Sequence, residues 1–581
     1  CEFVFKNLHH IKPVKKEEVI FQSKRTNIIP SVLHGKLSVE SVKQPAILSR
    51  DDDRSMGRNP HVLSMLRSAN RPPIEVNERL VDRVFKDMEV LYSRTLKWPL
   101  SRRLTFEEAC KGVPGLLSSL RVKTSAGYPL VKTTMKKGKT EFIWFDEKGE
   151  FHYDPEFKML VEEKLVEMEN YDGDERKIDH VFLGYLKDEL VSPKKIADCR
   201  TRMIYANDLI CLVAFRMLYG SFIIAIQQTR TLTPAVGINQ YSYGMNAMYD
   251  YLTDFDYGKK VQFLDGDIEE WDYRMVLAFQ KRAYEFIHTL TKDRLDISYK
   301  EFKFMHDHET KSDLQVGDFR FRCICNMASG CFWTTFINCF VNEGYVRYLF
   351  SLDFPNLNFE DNVRMKALGD DHLIAISDRV RWTPKGIAER FRKELGQKYT
   401  SSIKGAVLED KAKPYKDTTF LGAHPVKIDG LWCGAMKKDT IYQALQWTKK
   451  GYETDQTTMI SMMEYASVWG KDFYKKLLSE VNEALADEGM PLIEERNPDS
   501  LKTIVANRVD DDHFYGFIAE GDEYDRMVSE GPGEPGIVTA TETALETSKP
   551  LGISFGALAE RAVNAAPSEM GYGLESEMYR G

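Results

Sequence analysis

At 581 residues and 67.0 kDa the chain is long enough for two to four subdomains, and 43 % hydrophobic with 29 % charged residues describes an ordinary soluble globular protein. A formal net charge of -8 argues on its own against binding nucleic acid. The nine cysteines are too few for a disulfide framework in so long a chain.

The charge is uneven. Asp510, Asp511, Asp512, Glu520, Asp522, Glu523 and Asp525 crowd the C-terminal part, whereas acids and bases roughly balance before it, so a basic groove can exist on a neutral body. Cys323, Cys325, Cys331 and Cys339 cluster among apolar residues with no histidine at zinc-finger spacing, which favours buried free thiols in a reducing compartment. The chain starts at Cys1 and shows no signal peptide, which fits release from a larger precursor.

In chain order, residues 1–60 lack periodicity and read as an extended strap carrying Lys12, Lys15, Lys16, Lys24 and Arg25; His9 and His10 read as strap histidines rather than ligands. Val76 to Leu91 has helical spacing. Ser125, Ala126 and Gly127 lie in a loop of small residues whose amides can approach a phosphate, although an ordinary turn has the same composition. Lys187 opens a segment in which Lys195, Arg200 and Arg202 recur near a hairpin bend. Arg200 and Arg202 share a face if Arg200 to Ile204 is a strand, and they suit either a triphosphate or a solvated charged hairpin. The most apolar run, Leu209 to Ile226, contains Arg216 and ends at Gln227-Gln228, so it reads as a buried helix and not a membrane span.

Val261 to Leu264 is a short strand that delivers Asp267 at its C-terminal end. Asp272 opens the amphipathic helix that follows, where an N-cap role competes with a functional one. Ser329 and Gly330 precede an apolar helix on which Thr334 and Asn338 share one face; a core network or a sugar could satisfy them. Val363 to Leu368 and Leu373 to Ile376 alternate with period two around Gly369-Asp370-Asp371, a β-hairpin with two carboxylates at its tip. Adjacent carboxylates repel unless a cation lies between them. Beyond the hairpin, Leu395 to Lys404 ends a helix and turns, Thr419 to His424 and Leu431 to Met436 read as strands, and 439–490 as largely helical. After about residue 510 the composition is that of a linker, with a short helix around Ser554 to Val563.

Together these stretches resemble the RNA-dependent RNA polymerases of picorna-like positive-strand RNA viruses, with a dicistrovirus- or iflavirus-like flavour, over most of residues 24–450. Asp267 and Asp272 match the first palm motif; Ser329, Gly330, Thr334 and Asn338 the second; Gly369-Asp370-Asp371 the third. Lys404 matches the motif lysine, Thr419-Phe420-Leu421 the primer-gripping strand, Lys187, Lys195 and Arg202 the fingers motif, and Ser125-Ala126-Gly127 the template-entry loop. Leu368 stands where the family usually has Tyr, Val191 replaces a frequent arginine, and Arg200 replaces a lysine.

The resemblance implies an α+β right-hand polymerase with an encircling fingertips strap. It places fingers at 1–220, palm at 221–302 and 327–424, a fingers insertion at 303–326, thumb at 425–510, and an acidic tail of unknown role at 511–581. It implies that Asp267, Asp370 and Asp371 hold two Mg²⁺ ions (Mn²⁺ as substitute), that Lys195, Arg200 and Arg202 bind triphosphate, and that Asp272, Thr334 and Asn338 read the ribose. Ser329 and Gly330 would contact nucleotide and template, Ser125 to Gly127 and Lys187 the RNA, and Lys404 would act as general acid. Implied partners are RNA, NTPs, a genome-linked protein primer and other replication proteins, at membrane-associated complexes in the host cytoplasm. A reverse transcriptase and an inactive RNA-binding scaffold on the same fold are the rival readings; Asp272 disfavours the first and the complete carboxylate set the second.

Overall fold

The computed structural model describes residues 8–15, 18–19, 24–69, 74–135, 138–254, 260–323, 327–403, 405–449 and 455–508. Lys404, Cys325 and the acidic tail, including its expected short helix, lie outside the described residues.

Four antiparallel strands carry the centre of the molecule. Gln262–Glu269 lies between Asp371–Ile376 and Lys398–Ser401, and Val363–Leu368 pairs with the outer side of Asp371–Ile376. The expected alternation gives way to burial on both faces of the sheet: Met365, Lys366 and Ala367, and Leu373 to Ile376, are all buried in succession. The Leu277–Thr291 and Thr334–Asp353 helices meet the Glu78–Thr95 helix through edge-to-face rings. Tyr92 lies 5.1 Å from Phe286 and 5.8 Å from Phe340, while Phe85 lies 6.2 Å from Phe279. The Glu78–Thr95 helix starts at an N-cap, Asn77, whose side chain accepts from the Leu80 amide, and it continues one turn beyond the periodic run.

A second sheet of five strands has the order Leu8–Pro13, Phe319–Cys323, Asp313–Val316, Val181–Leu186, Met203–Ala206. Part of the expected strap is therefore a strand: Leu8–Pro13 pairs with Phe319–Cys323, an ordering that comes from a partner more than 300 residues away and leaves no local periodicity. The rest of the described strap mixes short extended pieces with turns, including a 3-10 turn at Asp53–Ser55. Ile28–Pro30 pairs with Trp447–Lys449, and Gln44–Pro45 with Leu190–Val191.

Leu209–Gln228 is a 20-residue helix long and apolar enough to cross a membrane, and 94 % of that window is buried inside the fold. Arg216 is fully buried and donates from Nε to the Ala109 carbonyl at 2.6 Å and from Nη2 to that of Ser118 at 2.7 Å, so the cation ties the Phe106–Lys111 helix and the loop after it to the long helix. The six described free cysteines are all buried, Cys331 and Cys339 among them.

Three local expectations are corrected. Arg200 and Arg202 precede the Met203–Ala206 strand and do not lie within it, because the chain turns through Cys199 (φ 51°) and Arg202 accepts from Lys187 before pairing begins. Thr419 to Gly422 is a turn with Leu421 at φ 53°, and the strand starts at Ala423. Asp272 is not an N-cap: the short helix Trp271–Arg274 begins after Glu270, which takes that position in the left-handed region at φ 58°, and the long helix starts only at Leu277.

Candidate active site

The carboxylates meet through strand register. His372 pairs with Gly266, and continuing that ladder by one residue sets Asp371 across from Asp267. Asp370 sits at the tip beside Gly369, whose φ of 66° a side chain would resist. Asp370 is pushed well above the usual carboxylate range, first by burial, then by the charges of Asp267 and Asp371 and, more weakly, Asp272. Four acids from three segments thus share one field. A hard oxygen donor set whose members repel one another fits a divalent cation, which would relieve the repulsion. Asp371 has one oxygen committed to the protein: Oδ2 accepts from the Leu421 amide at 3.0 Å.

Behind the tip lies a buried polar network that sequence reasoning missed. The Asn342 side-chain amide donates to the carbonyls of Gly369 at 3.1 Å and Asp370 at 3.2 Å, and its Oδ1 faces His372 Nδ1 at 2.8 Å. Because Oδ1 can only accept, the His372 proton belongs on Nδ1. Its Nε2 then accepts from the Tyr399 hydroxyl at 3.3 Å. Burial lowers His372 to about 3, so it is neutral. Tyr399 stays a donor, its ionisation opposed by burial and then by Asp265, Asp371 and Asp267. The available signal was spacing: Asn342 follows Asn338 by one helical turn.

The cations expected to meet phosphate converge on this site while held by acids. Arg202 pairs with Glu189 (Nε to Oε1, 2.7 Å); burial opposes its charge, but Glu189, then Asp272 and Asp370, raise its pKa. Lys187 and Lys195 act on the same Glu189, so all three bases share one environment. Lys195 lies on the short Pro193–Ala197 helix. Arg200 instead donates to Glu270 Oε1 at 2.7 Å, three residues after Asp267.

In the loop before the Thr334–Asp353 helix, Ser329 Oγ accepts from the Tyr205 amide at 3.3 Å. A Cβ on Gly330 would lie 1.8 Å from the Tyr205 carbonyl oxygen, so only glycine permits this approach. The Thr334 hydroxyl faces the carbonyls of Ala328 and Cys331 at 2.8 and 2.9 Å, so its proton serves its own loop. Asn338 Oδ1 is buried without a partner, which suits a hydroxyl donor from a ligand. The loop of small residues is anchored at the start of the Leu209–Gln228 helix: Ala126 accepts from the Leu209 amide at 3.0 Å, and the Gly127 amide donates to Ser125 Oγ at 3.1 Å.

Residues 37–486 match the family model described as viral RNA-dependent RNA polymerase. The chain is 25 % identical over 465 residues to a replicase polyprotein of acute bee paralysis virus (strain Rothamsted), covering 76 % of this chain and 24 % of that one. It is 26 % identical over 490 residues to a genome polyprotein of Ljunganvirus 1, covering 81 % and 20 % respectively, so it spans about a quarter or less of these curated relatives. A solved structure titled Sicinivirus 3Dpol RNA dependent RNA polymerase superposes with a TM-score of 0.71 at 21 % identity, over 86 % of this chain and 98 % of that one; the shared fold is the α+β right hand. Polymerases of this kind act on RNA and nucleoside triphosphates and generally use divalent metal ions. With the family model covering most of its length, the chain belongs to the viral RNA-dependent RNA polymerases of picorna-like viruses.

Proposed function

We propose that the chain copies an RNA template by transferring nucleotidyl groups from NTPs to an RNA 3′-hydroxyl, replicating a positive-strand genome in the host-cell cytoplasm. The observation that carries this reading is the clustering of Asp267, Asp370 and Asp371, in which burial first, and then the charges of the other two, raise Asp370 well above its ordinary range. Those three residues would hold two Mg²⁺ ions, with Mn²⁺ able to substitute, and the bound ions would supply Lewis-acid activation of the hydroxyl and charge neutralisation at the phosphates.

The chain's own residues do the rest. Lys195, Arg200 and Arg202 neutralise the triphosphate, which requires Arg202 to exchange Glu189, and Arg200 to exchange Glu270, for phosphate oxygens. Asn338 and Asp272 accept hydrogen bonds from the ribose hydroxyls, and Thr334 holds the loop that presents Ser329 and Gly330 to nucleotide and template. Lys404 protonates the departing pyrophosphate oxygen as the bond to the α-phosphorus breaks. Ser125, Ala126, Gly127 and Lys187 guide the RNA. The palm is assigned to 221–302 and 327–424, with fingers before it and thumb after. A genome-linked protein primer and membrane-associated replication partners complete the assembly.

Primer extension on an RNA template with NTPs and, separately, dNTPs tests the reading. Extension with NTPs and at least about a hundredfold preference over dNTPs is expected. Preference for dNTPs would favour the reverse transcriptase, and RNA binding with no extension the inactive scaffold.

A further inference from the structure

Asp265 stands two residues before Asp267 in the middle of the Gln262–Glu269 strand, 3 % exposed. A carboxylate buried there costs several kcal/mol unless it is paired, and an apolar residue of similar size would serve stability as well. Its partners come from three segments. Oδ1 faces Lys413 Nζ at 2.6 Å; Oδ2 accepts from the Ser402 hydroxyl at 2.8 Å and from the Thr419 amide at 2.7 Å. Lys413 is itself laced to the strand, exchanging both backbone hydrogen bonds with Phe263 at 2.8 and 3.0 Å.

Two of these partners lie near the carboxylate cluster. Ser402 follows the Lys398–Ser401 strand, whose Thr400 pairs with Asp267. Thr419 lies two residues before Leu421, whose amide is bound by Asp371. The turn at Thr419 to Gly422 is thus clasped by two carboxylates on adjacent strands, one beside Asp267 and the other opposite it.

We propose that Asp265 is a positioning residue: its carboxylate sets the bend at Ser402 and the Thr419 to Gly422 turn in register with the strand that carries Asp267, and it binds no metal. Its oxygens are already committed to an ammonium, a hydroxyl and an amide, which leaves it unlike Asp370. This inference rests on the polymerase reading for its kinetic consequence but not for its structural one.

The test pairs Asp265→Asn with Asp265→Asn/Lys413→Met, in which the stranded lysine charge is also removed. The single variant is expected to lose thermal stability and to expose the Thr419 and Leu421 amides to at least about tenfold faster hydrogen exchange. The double variant is expected to regain the melting temperature while single-nucleotide addition on a preformed primer–template stays at least about tenfold slow, with the Mg²⁺ midpoint within about twofold of wild type. A double variant that regains both stability and rate makes Asp265 merely structural and overturns the proposal; so does a tenfold shift in the Mg²⁺ midpoint, which would make it a ligand. Ser402→Ala, at a partly exposed residue, gives a milder check: addition slowed about threefold or more supports the link through the bend at Ser402, and an unchanged rate refutes it. If the wild-type chain extends no primer, the polymerase reading fails, and the exchange of Thr419 and Leu421 still decides the positioning.

Discussion

Asn342 and His372 are joined by a 2.8 Å hydrogen bond between Oδ1 and Nδ1, and through it a helix side chain grips the hairpin that carries Asp370 and Asp371. The same Asn342 donates to two carbonyls of the tip, so one buried amide satisfies backbone groups that the turn leaves without ladder partners.

Replacing Asn342 with Leu keeps the volume and strands those carbonyls together with the His372 proton. Stability is expected to fall by about 2–4 kcal/mol and nucleotide addition by tenfold or more, because the carboxylates lose their fixed depth. Thermal melting and single-turnover addition check this; a variant that melts lower but adds nucleotides at the wild-type rate would detach the network from catalysis.

Gly330→Ala places a methyl group 1.8 Å from the Tyr205 carbonyl oxygen, so the Ser329–Gly330 loop must move off the Met203–Ala206 strand. Elongation is expected to drop at least about tenfold while RNA affinity changes little, since the loop at Ser125 to Gly127, proposed to guide the RNA, is untouched. Filter binding and a run-off assay separate the two quantities.

Asn338→Ala removes the unpartnered Oδ1 and with it one hydrogen bond proposed for the ribose. Discrimination against dNTPs is expected to weaken by about tenfold, mainly through slower NTP addition rather than faster dNTP addition. Equal selectivity in wild type and variant would remove Asn338 from the ribose site.

Acid sensitivity has a source outside the carboxylate cluster. His180 and His308 stack with ring centroids 3.9 Å apart, and none of their four ring nitrogens has a hydrogen-bond partner. Burial lowers His180 to about 3 and His308 well below its usual value; Lys164 opposes protonation of both, and His180 that of His308. The unfolded chain therefore binds protons that the folded one refuses, so their contribution is complete above the unfolded value near 6.5 and is lost as pH falls below it. Buried Glu309, raised to about 8, works in the opposite sense. Between about pH 6.5 and about pH 5 each histidine should cost about 1.5 kcal/mol. His180→Phe/His308→Phe keeps the stack and removes that cost, so its melting temperature should fall less on acidification than that of the wild type; parallel curves would contradict the assignment.

What could be read from the chain alone was whatever has a period or a spacing. The alternation around Gly369 locates the hairpin, and the single-turn gap between Thr334 and Asn338 locates their shared helix face. What escaped depends on contacts across the sequence. Leu8–Pro13 is a strand only because Phe319–Cys323 supplies its edge, and Thr419 to Gly422 turns where an apolar run suggested a strand because Asp265 and Asp371 take its amides. Asn342, His372 and Tyr399 look like ordinary core residues until register stacks them behind the tip. The pairings of Arg202 with Glu189 and of Arg200 with Glu270 were not legible for a related reason: a charge-rich loop shows its charges readily, but not which acids hold which cations.

Single-nucleotide addition by Asp370→Asn, measured on a preformed primer–template in saturating Mg²⁺ alongside RNA affinity, tests the carboxylate cluster most directly. Loss of addition by about a thousandfold or more, with RNA affinity within about threefold of wild type, is the expected result. Addition at the wild-type rate would contradict it, because an amide carries no charge for the ions to bind.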